Sequence, residues 1–320
     1  MFTSPSPRAW LAGVVLASSA WAASAFDLQG HRGARGLAPE NTLAGFRQAL
    51  AVGVSTLELD VHVTADGHLV VHHDPAFNAD IARDASGRWL SGPQPPLKAL
   101  TLAQVQTVDV GRARPGSKTA RNFASQQPVD GEIIPTLDAV LALLNAQAAK
   151  NVRVNIEIKL DPRKPELHAE ASALVAAVHQ ALKTHGLSGR AMVQSFNWEP
   201  LKLSQQLAPD VPTAYLTIQQ PDANTLHGTQ WTAGMRLSDH GSAPRMVKAA
   251  GGRYWSPFHK DLSPALVSEG TRRGMAASLQ GFVSGMGNVL TAGVISAPLW
   301  HEPRRPALGV LALGLAGCAC

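Results

Sequence analysis

The chain has 320 residues, 45% of them hydrophobic, which is enough apolar content to bury the core of one large domain. Its net charge of +5 is modest, and the sequence has no run of lysine or arginine and no nucleic-acid motif, so no DNA or RNA partner is expected. The two cysteines, Cys318 and Cys320, stand at the extreme end, so the body is expected to fold without disulfide bonds.

Residues 1–25 have the three parts of a secretory signal peptide. Arg8 gives a positive first part, Trp10 to Trp21 is a short apolar stretch, and Ala23-Ser24-Ala25 fits the small-residue cleavage pattern. The apolar stretch is shorter than the roughly 20 residues that a membrane span needs. We therefore expect cleavage, export to the periplasm or the medium, and no stable membrane insertion afterwards.

The mature chain is expected to start with a strand from Phe26 to Gly30, and Asn41 or Thr42 then caps a helix. The next segment, Ser55 to Val63, alternates apolar and polar residues as a strand does.

Glu58 and Asp60 lie on one face of this second strand, roughly 7 Å apart. Two ionised carboxylates this close repel each other and are costly to desolvate, and a divalent cation removes both penalties. Carboxylate oxygens suit Mg²⁺, Ca²⁺ or Mn²⁺. The alternative interpretation is an edge strand with a solvated acidic face.

A third strand, His68 to His73, follows a turn at Asp66-Gly67. Residues 75–134 are then rich in proline, glycine, serine and glutamine, with only weak periodicity. A compact domain rarely carries so long an irregular segment without a function, so we interpret 75–134 as an inserted lid over the site.

Alternating strands and helices return after this insertion. The predicted elements are a helix from Leu137 to Leu144, a strand from Val152 to Lys159, a helix from Pro165 to Thr184, a strand from Ala191 to Ser195, a helix from Glu199 to Leu207, a strand from Thr213 to Leu216, a helix near Ala243 to Ala250, a strand from Arg253 to Ser256 and a helix from Ser263. About eight such units in about 250 residues predict a (β/α)₈ TIM barrel over 26–273. A doubly wound open sheet is the alternative, but no glycine-rich phosphate loop supports it.

Functional side chains of such barrels gather at the C-terminal ends of the strands. The predicted strand ends carry His31, Glu58, Asp60, His73, Glu157 and Lys159.

Four groups of residues stand in register over residues 27–160. They are Gly30-His31-Arg32-Gly33 with Pro39-Glu40-Asn41-Thr42, Glu58-Leu59-Asp60, Leu69 to Asp74 with its His72-His73-Asp74 ending, and Asn155-Ile156-Glu157-Ile158-Lys159. Together they resemble the glycerophosphodiester phosphodiesterase family. That family also carries an insertion after its third strand.

The resemblance implies the role of each matching residue. Glu58, Asp60 and Glu157 would hold one divalent cation, Ca²⁺ or Mg²⁺, His31 and His73 would act as acid and base, and Arg32 and Lys159 would bind phosphate oxygens. The family pattern His-Asp selects His73 over His72. The implied reaction converts a small glycerophosphodiester into sn-glycerol 3-phosphate and an alcohol, and direct attack by water and internal attack through a cyclic phosphate both fit these residues.

Gln194, Ser195, Phe196 and Trp255 fall at further predicted strand ends, where they would line an alcohol pocket or serve packing alone. His62 shares the carboxylate face and is expected at the mouth.

The sequence changes character in the tail, 274–320. Gly274 to Trp300 contains no aspartate, glutamate, lysine or arginine, and the family's closing motifs are absent. Ala292 to Ser296 is only a faint trace of the last strand, so the last strand–helix unit is not expected to be regular. Our hypothesis is a frameshift or rearrangement in the 3′ end of the gene, and resequencing that confirmed the reading frame would exclude it.

Two other functions fit the sequence. One is a phospholipase D-like activity on sphingomyelin or lysophospholipid, which a membrane-facing apolar loop would favour and the polar insertion does not. The other is a catalytically inactive binding protein, because an altered C-terminus leaves a barrel with exposed edges.

Overall fold

The computed structural model describes residues 26–146, 149–272, 276–280 and 292–296. The predicted signal peptide, 1–25, lies outside the described residues, and so does most of the tail after residue 273. None of the described helices is long and apolar enough to cross a membrane.

Strands and helices alternate along most of the chain, as predicted. The strands are β1 Phe26–Gly30, β2 Thr56–Val63, β3 Leu69–Val71, β4 Arg153–Ile158, β5 Ala191–Ser195, β6 Thr213–Thr217, β7 Gln219–Gln220, β8 Ala223–Asn224, β9 Tyr254–Pro257, β10 Ala276–Gln280 and β11 Ala292–Ser296. The helices are α1 Leu43–Val52, α2 Leu102–Val105, α3 Lys118–Asn122, α4 Leu137–Leu144, α5 Ala171–Thr184, α6 Trp198–Leu207, α7 Leu237–His240, α8 Ala243–Ala249 and α9 Pro264–Arg272. The helix expected from Pro165 begins only at Ala171, because Pro165–Leu167 forms a separate 3₁₀ turn.

The strands form a TIM barrel. Neighbouring pairs run parallel from β1 through β2, β4, β5, β6 and β9 to β10. The last strand, β11, pairs with both β10 and β1 and so completes the ring, but it runs antiparallel to both. The predicted (β/α)₈ pattern therefore holds for seven strands, whereas the last unit, which the sequence left in doubt, contributes an antiparallel strand in place of a parallel one.

The period-two alternation decides which side chains enter the barrel. On β2 and β4 the apolar residues Leu57, Leu59, Val154 and Ile156 join the main hydrophobic core under the helices. Burying each of these side chains stabilises the fold by roughly 1.5–3 kcal/mol. The polar residues between them face inward, and this is what brings carboxylates to the barrel interior.

The insertion after β3 is a packed segment with a core of its own. Its apolar side chains pack against Val70 of β3 in a cluster with Ala82, Leu97, Val105, Val108, Val110 and Ile134. Lys98 Nζ donates to the His168 carbonyl at 2.8 Å, and Gln126 Nε2 donates to the Arg35 carbonyl at 2.7 Å. Both acceptors lie in loops that follow barrel strands, so the insertion is fastened to the mouth of the barrel.

Arg190 ties the end of α4 to the start of β5. Its Nη1 donates to the carbonyls of Ala149, Lys150 and Val152 at 3.0, 2.7 and 2.9 Å, and its Nη2 donates to the carbonyl of Leu144 at 3.1 Å. One planar guanidinium thus binds the Leu144 carbonyl at the C-terminus of α4 and three carbonyls of the loop that leads to β4.

We expect Arg190→Lys to lower the free energy of unfolding by about 1–3 kcal/mol, because one ammonium cannot reach four carbonyls in a fixed fork. Urea unfolding monitored by circular dichroism measures this. Arg88→Lys is the control, since the Arg88 side chain is 82% exposed and should change stability little. Equal stability of the two variants would show that the four hydrogen bonds of Arg190 do not stabilise the fold.

Candidate active site

Three buried carboxylates meet inside the mouth of the barrel. Glu58 and Asp60 stand two residues apart on the inner face of β2, and Glu157 of β4 is the ladder partner of Asp60. One oxygen from each carboxylate lies within 4.8 Å of the other two. The three predicted metal ligands are therefore together, in a geometry that could hold a cation.

The cluster is electrostatically unbalanced by itself. Burial, and then the charges of Asp60 and Glu157, raise the pKa of Glu58 well above its usual range. Burial would also raise the pKa of Asp60, but the Arg32 guanidinium, with His73 and Lys159, holds it well below its usual range. Asp60 Oδ1 is buried and accepts no hydrogen bond from the described residues.

The loop after β1 reaches the cluster through strained backbone. Arg32 and Asn41 both have φ of 53°, in the left-handed region that non-glycine residues disfavour. This conformation directs the Arg32 N–H to Glu58 Oε2 at 2.8 Å. Asn41 donates from its backbone N–H to the Arg32 carbonyl at 2.9 Å and from Nδ2 to Asp60 Oδ2 at 2.9 Å. The strain is thus held in place by bonds to two of the three carboxylates.

Arg32 is shared between the cluster and a second acidic residue. Its Nε lies 3.3 Å from Asp60 Oδ2, and its Nη1 donates to Glu40 Oε1 at 2.9 Å. Arg35 Nη2 lies 2.9 Å from the other Glu40 oxygen. Burial favours protonated Glu40, but the two guanidinium groups outweigh it and lower the Glu40 pKa to about 2.

Lys159 lies over the acids. Its Nζ donates to Glu157 Oε1 at 2.8 Å and is 3.6 Å from Asp60 Oδ1. Burial would lower the Lys159 pKa, but the Glu157 and Asp60 carboxylates raise it above its ordinary value, so Lys159 is charged.

The two predicted histidines border the cluster. His31 Nε2 lies 3.8 Å from Glu58 Oε2, and burial, with Arg32 and Arg35 nearby, lowers the His31 pKa well below its usual value. His73 Nδ1 is 2.7 Å from Asp74 Oδ1.

Asp74 orients the imidazole of His73. Its second oxygen accepts from Asn78 Nδ2 at 2.8 Å, which fixes the carboxylate. A carboxylate only accepts, so neutral His73 carries its proton on Nδ1 and presents a basic Nε2.

A cavity of about 260 Å³ opens beside the cluster. Its lining includes His62, His73, Asp74, Glu157, Lys159, Leu167, His168, Ser195, Phe196 and Trp231. His62 and His73 both line the cavity, whereas His72 does not.

The other strand-end residues divide between cavity and scaffold. Ser195 and Phe196 line the cavity. Trp255 packs in the main core and donates from Nε1 to Thr217 Oγ1 at 3.0 Å. Gln194 donates from Nε2 to Glu58 Oε1 at 2.9 Å.

Sequence reasoning gave no role at the site to Glu40, Asn41, Asp74 or Trp231; it considered Asn41 only as a possible helix cap, and the cap is Thr42. The first three stand within the segments that carried the resemblance, so their positions were visible although their partners were not. Trp231 lies in a loop outside the predicted strands and helices, and no sequence pattern indicated it.

A sequence model of the glycerophosphoryl diester phosphodiesterase family matches residues 31–279. The chain belongs to this family. The match includes all seven predicted site residues, and the enzyme class expected from the sequence is confirmed.

Individual relatives agree with this family membership. YhdW of Bacillus subtilis (strain 168), provisionally named a glycerophosphodiester phosphodiesterase, is 33% identical over 203 residues, which are 63% of this chain and 70% of YhdW. A glycerophosphodiester phosphodiesterase of Caldanaerobacter subterraneus is 32% identical over 190 residues, 58% of this chain and 64% of that one. The chain thus spans about two thirds of the length of these curated relatives.

The crystal structure of a provisionally named glycerophosphoryl diester phosphodiesterase from Silicibacter pomeroyi DSS-3 superposes on this chain with a TM-score of 0.71 and 33% identity. The superposition covers 79% of this chain and 82% of that one. An Oleispira antarctica phosphodiesterase, solved with the product sn-glycerol-3-phosphate, shares the fold with a TM-score of 0.55 at 21% identity, covering 80% of this chain and 84% of that one.

If His73 is an acid or base, as the family resemblance implies, we expect Asp74→Asn to reduce kcat for glycerophosphodiester hydrolysis by roughly 100-fold or more, because the amide favours the wrong His73 tautomer. Steady-state kinetics with circular dichroism separate this effect from misfolding. The matched variant Asp222→Asn, in an exposed turn, should leave kcat unchanged. A folded Asp74→Asn enzyme with normal kcat would refute the orienting role.

Glu40 should make the fold sensitive to acid. Its pKa is near 4.5 when unfolded and about 2 when folded, so its stabilisation is complete above pH 4.5 and is lost as the pH falls towards 2. We expect Glu40→Gln to lower the free energy of unfolding at pH 7 by a few kcal/mol, and this deficit to shrink at pH 3. Urea unfolding at both pH values measures it, with exposed Glu170→Gln as control. A deficit of equal size at both pH values would contradict the ion-pair explanation.

Proposed function

We propose that this chain hydrolyses small glycerophosphodiesters to sn-glycerol 3-phosphate and an alcohol, with one divalent cation held by Glu58, Asp60 and Glu157. The observation that carries the proposal is the buried carboxylate cluster with two histidines at its border, in a chain of this family. The names of the curated relatives support the substrate class.

The residues present fit a hard cation. All three candidate ligands offer carboxylate oxygens, the preferred donors of Ca²⁺ and Mg²⁺. Asp60 Oδ1 is buried and accepts no hydrogen bond from the described residues, so it is free to ligate, and a cation would offset the burial and the neighbouring carboxylates that raise the pKa of Glu58. When bound, the cation would neutralise phosphate charge and lower the pKa of a bound water or hydroxyl.

The two histidines carry the proton transfers in this proposal. One takes a proton from the attacking water or hydroxyl, and the other gives one to the departing alkoxide, which is a poor leaving group without an acid. Asp74 supports His73 in both roles, because its carboxylate holds the Nδ1 proton and stabilises an imidazolium.

Arg32 and Lys159 keep their proposed role at the phosphate. Both are charged groups at the edge of the cluster, 3.3 and 3.6 Å from Asp60 oxygens. A phosphodiester that bridges towards the cluster would meet a planar fork from Arg32 and a point charge from Lys159.

We further propose that the enzyme acts outside the cytoplasm, on the signal-peptide pattern of residues 1–25. Mass spectrometry of the chain recovered from the periplasm or the medium tests this, with an N-terminus at Phe26 expected. Recovery of the uncleaved chain from the cytoplasm alone would overturn it.

The deciding experiment measures release of sn-glycerol 3-phosphate from glycerophosphocholine by the purified chain, with Ca²⁺, with Mg²⁺ and with EDTA. We expect release that needs a cation and falls by roughly 100-fold or more in His31→Ala and in His73→Ala. His227→Ala, an exposed histidine away from the cavity, is the matched control and should keep full activity.

Sphingomyelin and lysophosphatidylcholine run in parallel distinguish the alternatives. Turnover of these lipids without turnover of glycerophosphocholine would replace the proposed substrate with a phospholipase D-like one. No turnover of any diester by a chain that unfolds cooperatively would support a catalytically inactive binding protein.

A further inference from the structure

A buried aspartate closes the lower end of the barrel interior. Asp27 on β1 accepts at Oδ1 from Ser55 Oγ at 2.6 Å, from Thr56 Oγ1 at 2.7 Å and from Arg153 Nη2 at 2.7 Å. Its Oδ2 accepts from Gln29 Nε2 at 3.0 Å. The Asp27 carboxylate is thus surrounded by donors.

Three buried amides connect this carboxylate to Glu58 at the mouth. Asn155 Nδ2 donates to Gln29 Oε1 at 3.1 Å and to Gln194 Oε1 at 2.9 Å. Gln194 Nε2 then donates to Glu58 Oε1 at 2.9 Å. We call this chain of Asp27, Gln29, Asn155, Gln194 and Glu58 the amide relay.

The two carboxylates decide the direction of every bond in the relay. The carboxylate oxygens of Asp27 and Glu58 accept, so Gln29 and Gln194 each turn their NH₂ group outwards, to Asp27 and to Glu58. Their carbonyl oxygens then both point to Asn155, which must donate both of its hydrogens.

Asn155 Oδ1 shows that this orientation has a cost. It is buried and without a hydrogen-bond partner among the described residues. An orphaned acceptor of this kind costs about 1–3 kcal/mol. The orientation of the Asn155 amide is therefore set by its two acceptors, Gln29 and Gln194, although this orientation leaves Asn155 Oδ1 without a donor.

The relay holds one side of Glu58. Gln194 binds Glu58 Oε1 from below, and the Arg32 N–H binds Oε2 from the loop after β1. The two bonds reach different oxygens from opposite sides, so together they fix the orientation of the Glu58 carboxylate.

We infer that Asn155 and Gln194 are positioning residues that hold the Glu58 carboxylate in place and aim it at the candidate cation site. This rests on the proposed function, since it takes Glu58 as a ligand of the cation. Partners that hold metal ligands in place change cation affinity by about 10–100-fold in proteins, although they do not touch the ion.

The test is cation affinity, measured by titration calorimetry with Ca²⁺ and with Mg²⁺ on the full chain. We expect Gln194→Met to weaken cation binding by about 10–100-fold, because the side chain keeps its volume but loses the donor to Glu58. Gln205→Met is the matched control: Gln205 donates to Thr213 Oγ1 and to Tyr215 Oη, so its loss should affect stability but not cation affinity.

Asn155→Leu gives a second, independent variant of the relay. Because the relay acts as a unit, the effects of the two substitutions should not add. The double variant Asn155→Leu/Gln194→Met should have the same cation affinity as whichever single variant binds the cation more weakly. Thermal unfolding with and without cation gives a further readout: the cation should raise the melting temperature of the wild-type chain and of Gln205→Met more than that of the relay variants.

Three outcomes separate this inference from the proposed function. Folded Gln194→Met or Asn155→Leu with cation affinity within about twofold of wild type would overturn the positioning role. Weakened affinity in a chain that hydrolyses no diester would support the relay and overturn the function. A wild-type chain that binds neither cation would overturn both.

Discussion

Three carboxylates buried within one small volume constrain the rest of this structure. Glu58, Asp60 and Glu157 cannot all be ionised in a low-dielectric interior unless positive charge and donors surround them. Arg32, Lys159 and Asn41 supply part of that compensation. The remaining imbalance is the physical reason to place a divalent cation at this point.

The surrounding structure serves this compensation at two levels. Above the cluster, strained backbone at Arg32 and Asn41 directs donors to Glu58 and Asp60. Glu40 in turn balances the positive charges of Arg32 and Arg35. Below the cluster, the amide relay places polar groups in the barrel interior, where a TIM barrel usually has layers of apolar side chains. The geometry of the carboxylate cluster is therefore supported from the loops and from the core.

Much of the fold was predictable from local pattern. Period-two alternation on β2 and β4 correctly separated the helix-facing residues from the barrel-facing ones, and the repeat of strands and helices predicted the barrel. The packed core of the insertion could not be predicted from local pattern. It is made from residues distant in sequence, such as Val70 and Ile134, which have no common period. Likewise, Trp231 lines the cavity from a loop without any pattern.

The sequence alone determined which residues could do chemistry, because strand alternation and the family motifs place His31, Glu58, Asp60, His73, Glu157 and Lys159 at strand ends. Only the tertiary structure decided their partners. From the sequence, Gln194 could either line a pocket or serve packing, and the fold shows that it binds Glu58. Asp74 was visible only as part of a His-Asp motif, and the fold shows that it binds His73. The reason is physical: alternation along one strand fixes a side chain's face, whereas a hydrogen bond between strands depends on register and barrel closure.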